Sequence, residues 1–164
     1  MPTIRPANAK DIEAITAIYN EAGVGTTASY ALEPVTVDDR RAWFDRLAGG
    51  NFPVLVFEDG GVVTGYASYG PFRSLGGYAN TVEHSVYIAS GHRAAGAGRM
   101  LMMALIDVAR GAGVHVMVGV IDGANTESIA FHERLGFEVT GRLPEVGHKF
   151  GQWRDVVFVT RILA

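Results

Sequence analysis

Arg93, Gly96, Gly98 and Arg99 stand between an extended run, Val82 to Ile88, and a long apolar-periodic stretch. The two glycines carry no Cβ, so the backbone there can approach a ligand closely and adopt positive φ where required. A helix start bare of side chains exposes its first N–H groups and the positive end of its dipole. Two arginines add positive charge beside that concavity. Such a group can hold a diphosphate, and we read the turn as binding the pyrophosphate of a nucleotide-like cofactor. Taken alone, the same spacing also serves an ordinary turn from strand into helix. It is not a nucleoside-triphosphate loop, because no Gly-Lys-Ser/Thr follows, and Leu101 stands where a dinucleotide fingerprint wants its third glycine or alanine.

Other residues with chemistry to offer are Glu83, His132, Arg73 and Lys149. A carboxylate with a pKa near ~4.3 is a weak base unless burial raises it or a water relays the proton. On a helix, Asn125, Ser128 or Ile129, and His132 share one face, because three, four and seven residues return to the same side. A histidine with a pKa near ~6.5 gives or takes a proton at neutral pH. Beside Ile129, however, it serves equally as a hydrogen-bonded core residue. Arginine offers a fork to an anion and lysine a point charge. Both are also the residues most often left in solvent.

These residues need elements to place them. Thr3 to Arg5 is a short edge strand closed by Pro6, and Asn8 with Asp11 caps a helix carrying Ile12, Ile15, Ile18 and Tyr19. Gly23 to Pro34 reads as a loop, of a length common in binding segments or lids. Thr36 with Asp39 caps a second helix through Trp43, Phe44 and Leu47, ended by Gly49-Gly50-Asn51. Val54 to Glu58 and Val62 to Tyr69 form a hairpin about Asp59-Gly60-Gly61. After a second loop, Pro71 to Asn80, come the strand Val82 to Ile88 and the long helix. Met100, Leu101, Ala104, Leu105, Val108 and Ala109 give that helix one buried stripe. His115 to Ile121 is a fifth strand, Asn125 or Thr126 opens a short helix stopped by Gly136, and Phe137 to Leu143 and Trp153 to Ile162 are the last two strands. The pattern predicts one α/β domain over residues 1–164, with a mixed sheet of about seven strands.

The 164 residues match the prior of ~150 for one domain. Apolar residues make up 48% and charged ones 19%, which supports a sizeable core. With no cysteine, disulfides, thiolate metal sites and a cysteine nucleophile are excluded. The net charge of −3 argues against a nucleic-acid partner. No apolar run approaches the ~20 residues that span a bilayer. The first residues lack the basic-then-apolar pattern of a signal peptide, so a soluble cytoplasmic protein without a membrane partner is expected.

Two motifs taken together go further. Arg93-x-x-Gly96-x-Gly98 is followed, after the fifth strand, by Asn125-Thr126-Glu127-Ser128-Ile129-Ala130-Phe131-His132-Glu133-Arg134-Leu135-Gly136-Phe137. In that order and at that separation they resemble the GNAT superfamily of N-acetyltransferases. Thr26-Thr27-Ala28, Gly70-Pro71-Phe72-Arg73, Thr81 to Tyr87, Arg142 to Gly147 and Lys149-Phe150-Gly151-Gln152-Trp153 resemble its phosphinothricin and methionine sulfone acetyltransferase branch. The resemblance implies the GNAT fold, a mostly antiparallel sheet flanked by about four helices. It also implies acetyl-CoA as cofactor, a small-molecule amine as substrate, and a homodimer. Coenzyme contacts are implied at Val86, Tyr87, Ile88, Arg93, Ala94, Gly96, Ala97, Gly98, Arg99, Asn125 and Ser128, with the amides near Tyr87 and Ile88 stabilising the oxyanion. Glu83 is implied as general base, acting through water, and His132 as acid or second base. Thr27, Tyr30, Phe72, Arg73 and Lys149 are implied in substrate binding. Leu75 stands where some relatives carry a second arginine, which weakens the grip on a doubly anionic substrate. The expected reaction is direct attack in a ternary complex. A different amine acceptor (peptide N-terminus, polyamine or aminoglycoside) and a non-catalytic acyl-CoA sensor are the alternatives.

Overall fold

The structure, a computed structural model, describes residues 1–93 and 96–164, so the expected contact at Ala94 lies outside the described residues. Seven strands form one sheet: β1 (Thr3–Pro6), β2 (Val54–Asp59), β3 (Val62–Pro71), β4 (Thr81–Ile88), β5 (Val116–Asp122), β6 (Glu138–Lys149) and β7 (Gln152–Ile162). Their order is β1-β2-β3-β4-β5-β7-β6, and only β4 and β5 run parallel. Four α-helices accompany them: α1 (Ile12–Tyr19), α2 (Val37–Gly49), α3 (Ala97–Gly111) and α4 (Thr126–Arg134). This is the mixed α/β sheet that the pattern predicts, with the mostly antiparallel strands that the resemblance implies. No helix among the described residues is long and apolar enough to cross a membrane.

Strand alternation builds a core on each face of the sheet. Leu55 and Phe57 of β2 point to one side, where they join Leu101 and Leu105 of α3. Val54 and Val56 point to the other, against Ile15 and Ile18 of α1 and the buried ring of Tyr66. Both expected caps close reciprocally. Thr36 Oγ1 accepts from Asp39 N at 3.0 Å while the Asp39 carboxylate accepts from Thr36 N at 3.0 Å, which satisfies two donors that helix geometry leaves open. The Asn8–Asp11 pair does the same ahead of α1.

Two expectations need correction. The buried face of α3 carries Ala97, Leu101, Met102, Leu105, Ile106 and Ala109, whereas Met100 and Val108 are each 40% exposed. Leu101, Leu105 and Ala109 belong to either stripe. Apolar residues flank them on both sides, so packing on the sheet, and not periodicity, selects the Met102–Ile106 side. The second correction is at β6, which runs on from Leu143 to Lys149 instead of stopping. Its register against β7 shifts between Val139 and Gly141 and again between Leu143 and Gly147. Bulges of this kind hide a strand from an alternation test, and Pro144 is tolerated because β6 is the sheet edge.

The two methionines test the rotated stripe directly. Met102→Ala should cost about 3 kcal/mol, the usual range for emptying a buried site, and Met100→Ala less than about 0.5 kcal/mol. Urea-unfolding midpoints at unchanged slope would measure both, and equal losses would contradict the packing.

Candidate active site

The parallel ladder between β4 and β5 lasts for three residue pairs, ending at Glu83 opposite Val118. Beyond that point β4 stays paired with β3 as far as Ile88, while β5 turns to β7 alone. The two strands part, and three connected spaces open around β4. A cleft of about 450 Å³ lies between the start of α3 and α4, floored by Val86, Tyr87 and Ile88. A cavity of about 200 Å³ lies on the other side of the strand, with Glu83 in its wall. A smaller space of about 80 Å³, lined by Ser85, Tyr87 and His132, joins them.

The large cleft is made by the glycine turn. Gly96 is the residue before α3 and has φ +75°, a conformation that side chains resist, and no side chain among the described residues caps the helix. Arg93, Gly96, Gly98 and Arg99 all line the cleft, joined by Arg134 from α4. Uncapped helix amides beside three guanidinium groups suit linked phosphates. The side chain of Ala97 is fully buried in the core, so only its backbone faces this task. On the opposite wall, Asn125 caps α4, its Oδ1 accepting from Ser128 N at 3.1 Å, and both residues line the cleft.

The cavity of about 200 Å³ is lined by Thr27, Tyr30, Glu83, Ser85, Tyr87 and Asp122, among others. The Glu83 carboxylate has no hydrogen-bond partner among the described residues, and the surrounding protein raises its pKa through desolvation. The Tyr30 ring contributes a wall, but its hydroxyl is committed: it donates to Asp122 Oδ1 at 2.6 Å, and burial and that carboxylate push its pKa up to about 12. Arg154 forks onto the same Asp122, Nε to Oδ1 at 2.7 Å and Nη2 to Oδ2 at 2.9 Å, and holds its carboxyl below the ordinary range. Asp122 is thereby a strut, with every oxygen occupied.

Three of the expected substrate contacts fall elsewhere. Lys149 is buried, and its Nζ donates to the carbonyls of Val24, Thr26 and Ser29 at 2.7, 2.6 and 2.6 Å. All three N–H donors are used, so the ammonium fastens the 24–29 segment and has none left for a substrate. Arg73 is exposed and lies over the Phe72 ring at 5.7 Å, while Phe72 packs edge-on to Tyr78. Neither lines any of the three spaces around β4. The loop expected as a binding segment or lid lends Thr27 and Tyr30 to the cavity wall, and it is firmly tied. Asn20 clasps Val35 through both its amide groups at 2.9 Å, and Tyr19 bonds Ser29 at 2.8 Å.

His132 sits beside the joining space, 4% exposed, with Nδ1 2.8 Å from Ser128 O and Nε2 2.9 Å from Nε2 of His84. Burial lowers its pKa, against the opposing pull of the Ser128 carbonyl. The sequence reasoning missed His84, Asp122, Ser85 and Arg134. His84 and Ser85 lie inside the motif quoted for β4, where alternation hides which side chains face a gap that opens only on one edge. Nothing in the sequence marks Asp122 as a partner of Tyr30 and Arg154.

With this geometry in hand, the comparisons with known proteins carry weight. The family described as acetyltransferase (GNAT) domain matches residues 4–158. An L-methionine sulfoximine/L-methionine sulfone acetyltransferase of Pseudomonas aeruginosa is 48% identical over 158 residues, covering 96% of this chain and 92% of the relative. A phosphinothricin N-acetyltransferase of Streptomyces viridochromogenes is 36% identical over 160 residues, covering 96% and 86%. Among solved structures, an acetyltransferase of Salmonella typhimurium with its cofactor acetyl-CoA superposes with a TM-score of 0.96 at 48% identity, covering 99% of this chain and 94% of that one.

Replacing Lys149 by Met should free the carbonyls of Val24, Thr26 and Ser29. Amide hydrogen exchange across residues 24–35 should then quicken by about tenfold or more while β3 and β4 keep their protection. Unchanged protection in that segment would show that other contacts hold it.

Proposed function

Because the chain belongs to the GNAT acetyltransferase family, we propose that it acetylates the primary amine of a small amino acid analogue, of the methionine sulfone or sulfoximine type, within a ternary complex. Acetyl-CoA is the acetyl donor, and it supplies a thioester whose acyl carbon the amine attacks. The observation that carries the reading is the parting of β4 from β5. It lets a coenzyme cleft and an acceptor cavity meet across Ser85 to Tyr87, with Glu83 on the acceptor side.

Each group then has a task. The start of α3 with Arg93 and Arg99 holds the linked phosphates and fixes how far the donor reaches along β4. Glu83 takes the proton that the acceptor nitrogen sheds, through water, and its raised pKa makes it a better base than a fully hydrated glutamate. The amide of Ile88, on the stretch of β4 that has left β5, faces the charge that builds on the carbonyl oxygen, whereas the neighbouring Tyr87 amide points to β3. His132, beside the same stretch, supplies a proton to the departing sulfur. The chain has no cysteine to carry the acyl group, in keeping with direct transfer.

The acceptor cavity narrows the substrate. With Lys149 committed to three carbonyls and Arg73 outside, no arginine or lysine among the described residues lines it, while Glu83 brings a negative charge. A neutral sulfone or sulfoximine therefore fits better than an anionic phosphinate, which meets no countercharge there. Arg73 and Lys149 do not line the cavity, so neither acts to repel a polycationic acceptor there. A space of about 200 Å³ disfavours a peptide, polyamine or aminoglycoside by size instead. An intracellular donor supports a cytoplasmic enzyme. A homodimer has apolar surface available on the β6–β7 hairpin, where Leu143, Val146, Phe150 and Trp153 are exposed.

Glu83→Gln should lower kcat by about 10²-fold or more and abolish its acid limb. In the wild type that limb should lie above the ordinary carboxylate range, because kcat falls as pH drops through the raised Glu83 pKa and the base is protonated. Release of free coenzyme A measured from pH 5 to 9 tests both, and an unaltered profile would remove Glu83 from the chemistry. In the same assay kcat/KM for methionine sulfone should exceed that for phosphinothricin by about tenfold or more. Parity between the two acceptors would contradict the cation-free cavity.

A further inference from the structure

His84 fills the gap where β4 leaves β5. Its Nδ1 lies 3.0 Å from the carbonyl of Val118, the last β5 residue in register with β4, so a side chain takes over where the backbone ladder stops. On β5 the next residue is Gly119, where an added Cβ would come within 2.7 Å of His84 Cε1. The strand is bare where the ring lies. From there His84 Nε2 reaches Nε2 of His132 at 2.9 Å, and His132 Nδ1 reaches back one helical turn to Ser128 O at 2.8 Å. Phe137 packs against both rings, at centroid distances of 5.4 and 5.3 Å.

This chain of contacts runs carbonyl, imidazole, imidazole, carbonyl, and its protons can be counted. A carbonyl only accepts, so the nitrogen facing Val118 must carry a hydrogen. His84 is enclosed and lies against a second imidazole, and burial pushes its pKa down to about 3, so it stays neutral with that one hydrogen. Its Nε2 is then a lone pair. The contact between the two rings is a hydrogen bond only when His132 donates from Nε2. By the same rule the Ser128 contact needs a hydrogen on His132 Nδ1, so two neutral rings, with two hydrogens, leave one of the three contacts empty, and all three fill only when His132 carries both. Where His84 keeps the Nε2 hydrogen in place, Nδ1 is the nitrogen that gains or loses a proton, over the carbonyl of Ser128, a residue that lines the coenzyme cleft.

We propose that His84 is a positioning residue for acetyl transfer: it holds His132 as the Nε2–H tautomer and makes Nδ1, on the Ser128 side, the nitrogen that delivers the proton. This rests on the reading of His132 as the acid. In the step itself the carbon–sulfur bond breaks and sulfur keeps the electron pair. His132 enters the step as the imidazolium, with solvent having supplied the second proton; that Nδ1 proton passes to sulfur to give the thiol, and neutral His132 remains with its hydrogen on Nε2. The proton is replaced from solvent, which also receives, by way of Glu83, the proton shed by the acceptor nitrogen. Ser128 O holds the Nδ1–H until the thiolate, a stronger base, lies beside it.

Ring-nitrogen NMR of ¹⁵N-histidine-labelled protein near pH 8 reads this directly. His84 should appear as Nδ1–H and His132 as Nε2–H. In His84→Asn, His132 should turn to Nδ1–H, bonded to Ser128 O, with kcat down by about tenfold or more and the KM for acetyl-CoA unchanged. His84→Gln, whose amide oxygen can accept from His132 Nε2, should restore the tautomer and part of the rate. A wild-type His132 carrying its hydrogen on Nδ1, or an unchanged tautomer in His84→Asn, would overturn the proposal alone. Unchanged turnover in His132→Ala would instead sink the acid assignment, and this proposal with it.

Discussion

The early end of the β4–β5 ladder is the constraint on which the site depends. Two parallel strands in register would seal the sheet between the start of α3 and the acceptor cavity. Three residue pairs fix their direction, and then the strands part. The amides and carbonyls on that side of β4 lose their sheet partners at the place where the cleft and the cavity meet. A buried backbone edge left open is costly unless something pairs with it. Here part of the pairing comes from the imidazole over Gly119, and the rest of the edge is left to ligands.

The buried charges around this gap are each handled differently. Asp122 is met by an arginine fork, a tyrosine hydroxyl and the amide of Ala124, so its carboxylate has no exposed lone pair. Lys149 has no carboxylate and relies on three carbonyl dipoles. Arg40 takes a third route, lying 4.0 Å over the rings of Tyr19 and Trp43 and donating to the Tyr66 hydroxyl at 2.6 Å. The first ties β5 to β7, the second ties β6 to the 24–29 segment, and the third ties α2 to α1 and β3. Charge is thus used to fasten the walls of the acceptor side, while the freely disposed cations, Arg93, Arg99 and Arg134, face the coenzyme cleft.

Much of this was legible in the residues. The reciprocal caps, the hairpin at Asp59-Gly60-Gly61 and the glycine turn are local, and local chemistry decided them. The buried side of α3 was not, because Met100, Met102, Ile106 and Val108 are all apolar and only the sheet distinguishes them. The length of β6 was obscured by its two bulges. At the site, many of the residues that line the large cleft were found through the motif, yet Arg134 was passed over and Lys149 was misjudged. A lysine reads as a free point charge in sequence, and only the fold shows that its three hydrogens meet three carbonyls more than a hundred residues away. His84 escaped notice for a similar reason: its partners on β5 and α4 are distant in the chain.

The chain has two lysines, Lys10 and Lys149, against twelve arginines. A thioester acetylates whichever unprotonated amine it meets, and an ε-amino group beside the acceptor cavity would be a competing nucleophile in every turnover. Guanidinium groups, protonated at any physiological pH, offer no such lone pair. In Lys149 burial lowers the pKa and so favours the neutral amine, and it is the three carbonyls, each holding one hydrogen, that keep the nitrogen turned away from the cavity. The carbonyl cage that fastens the 24–29 segment therefore also guards the enzyme against modifying itself.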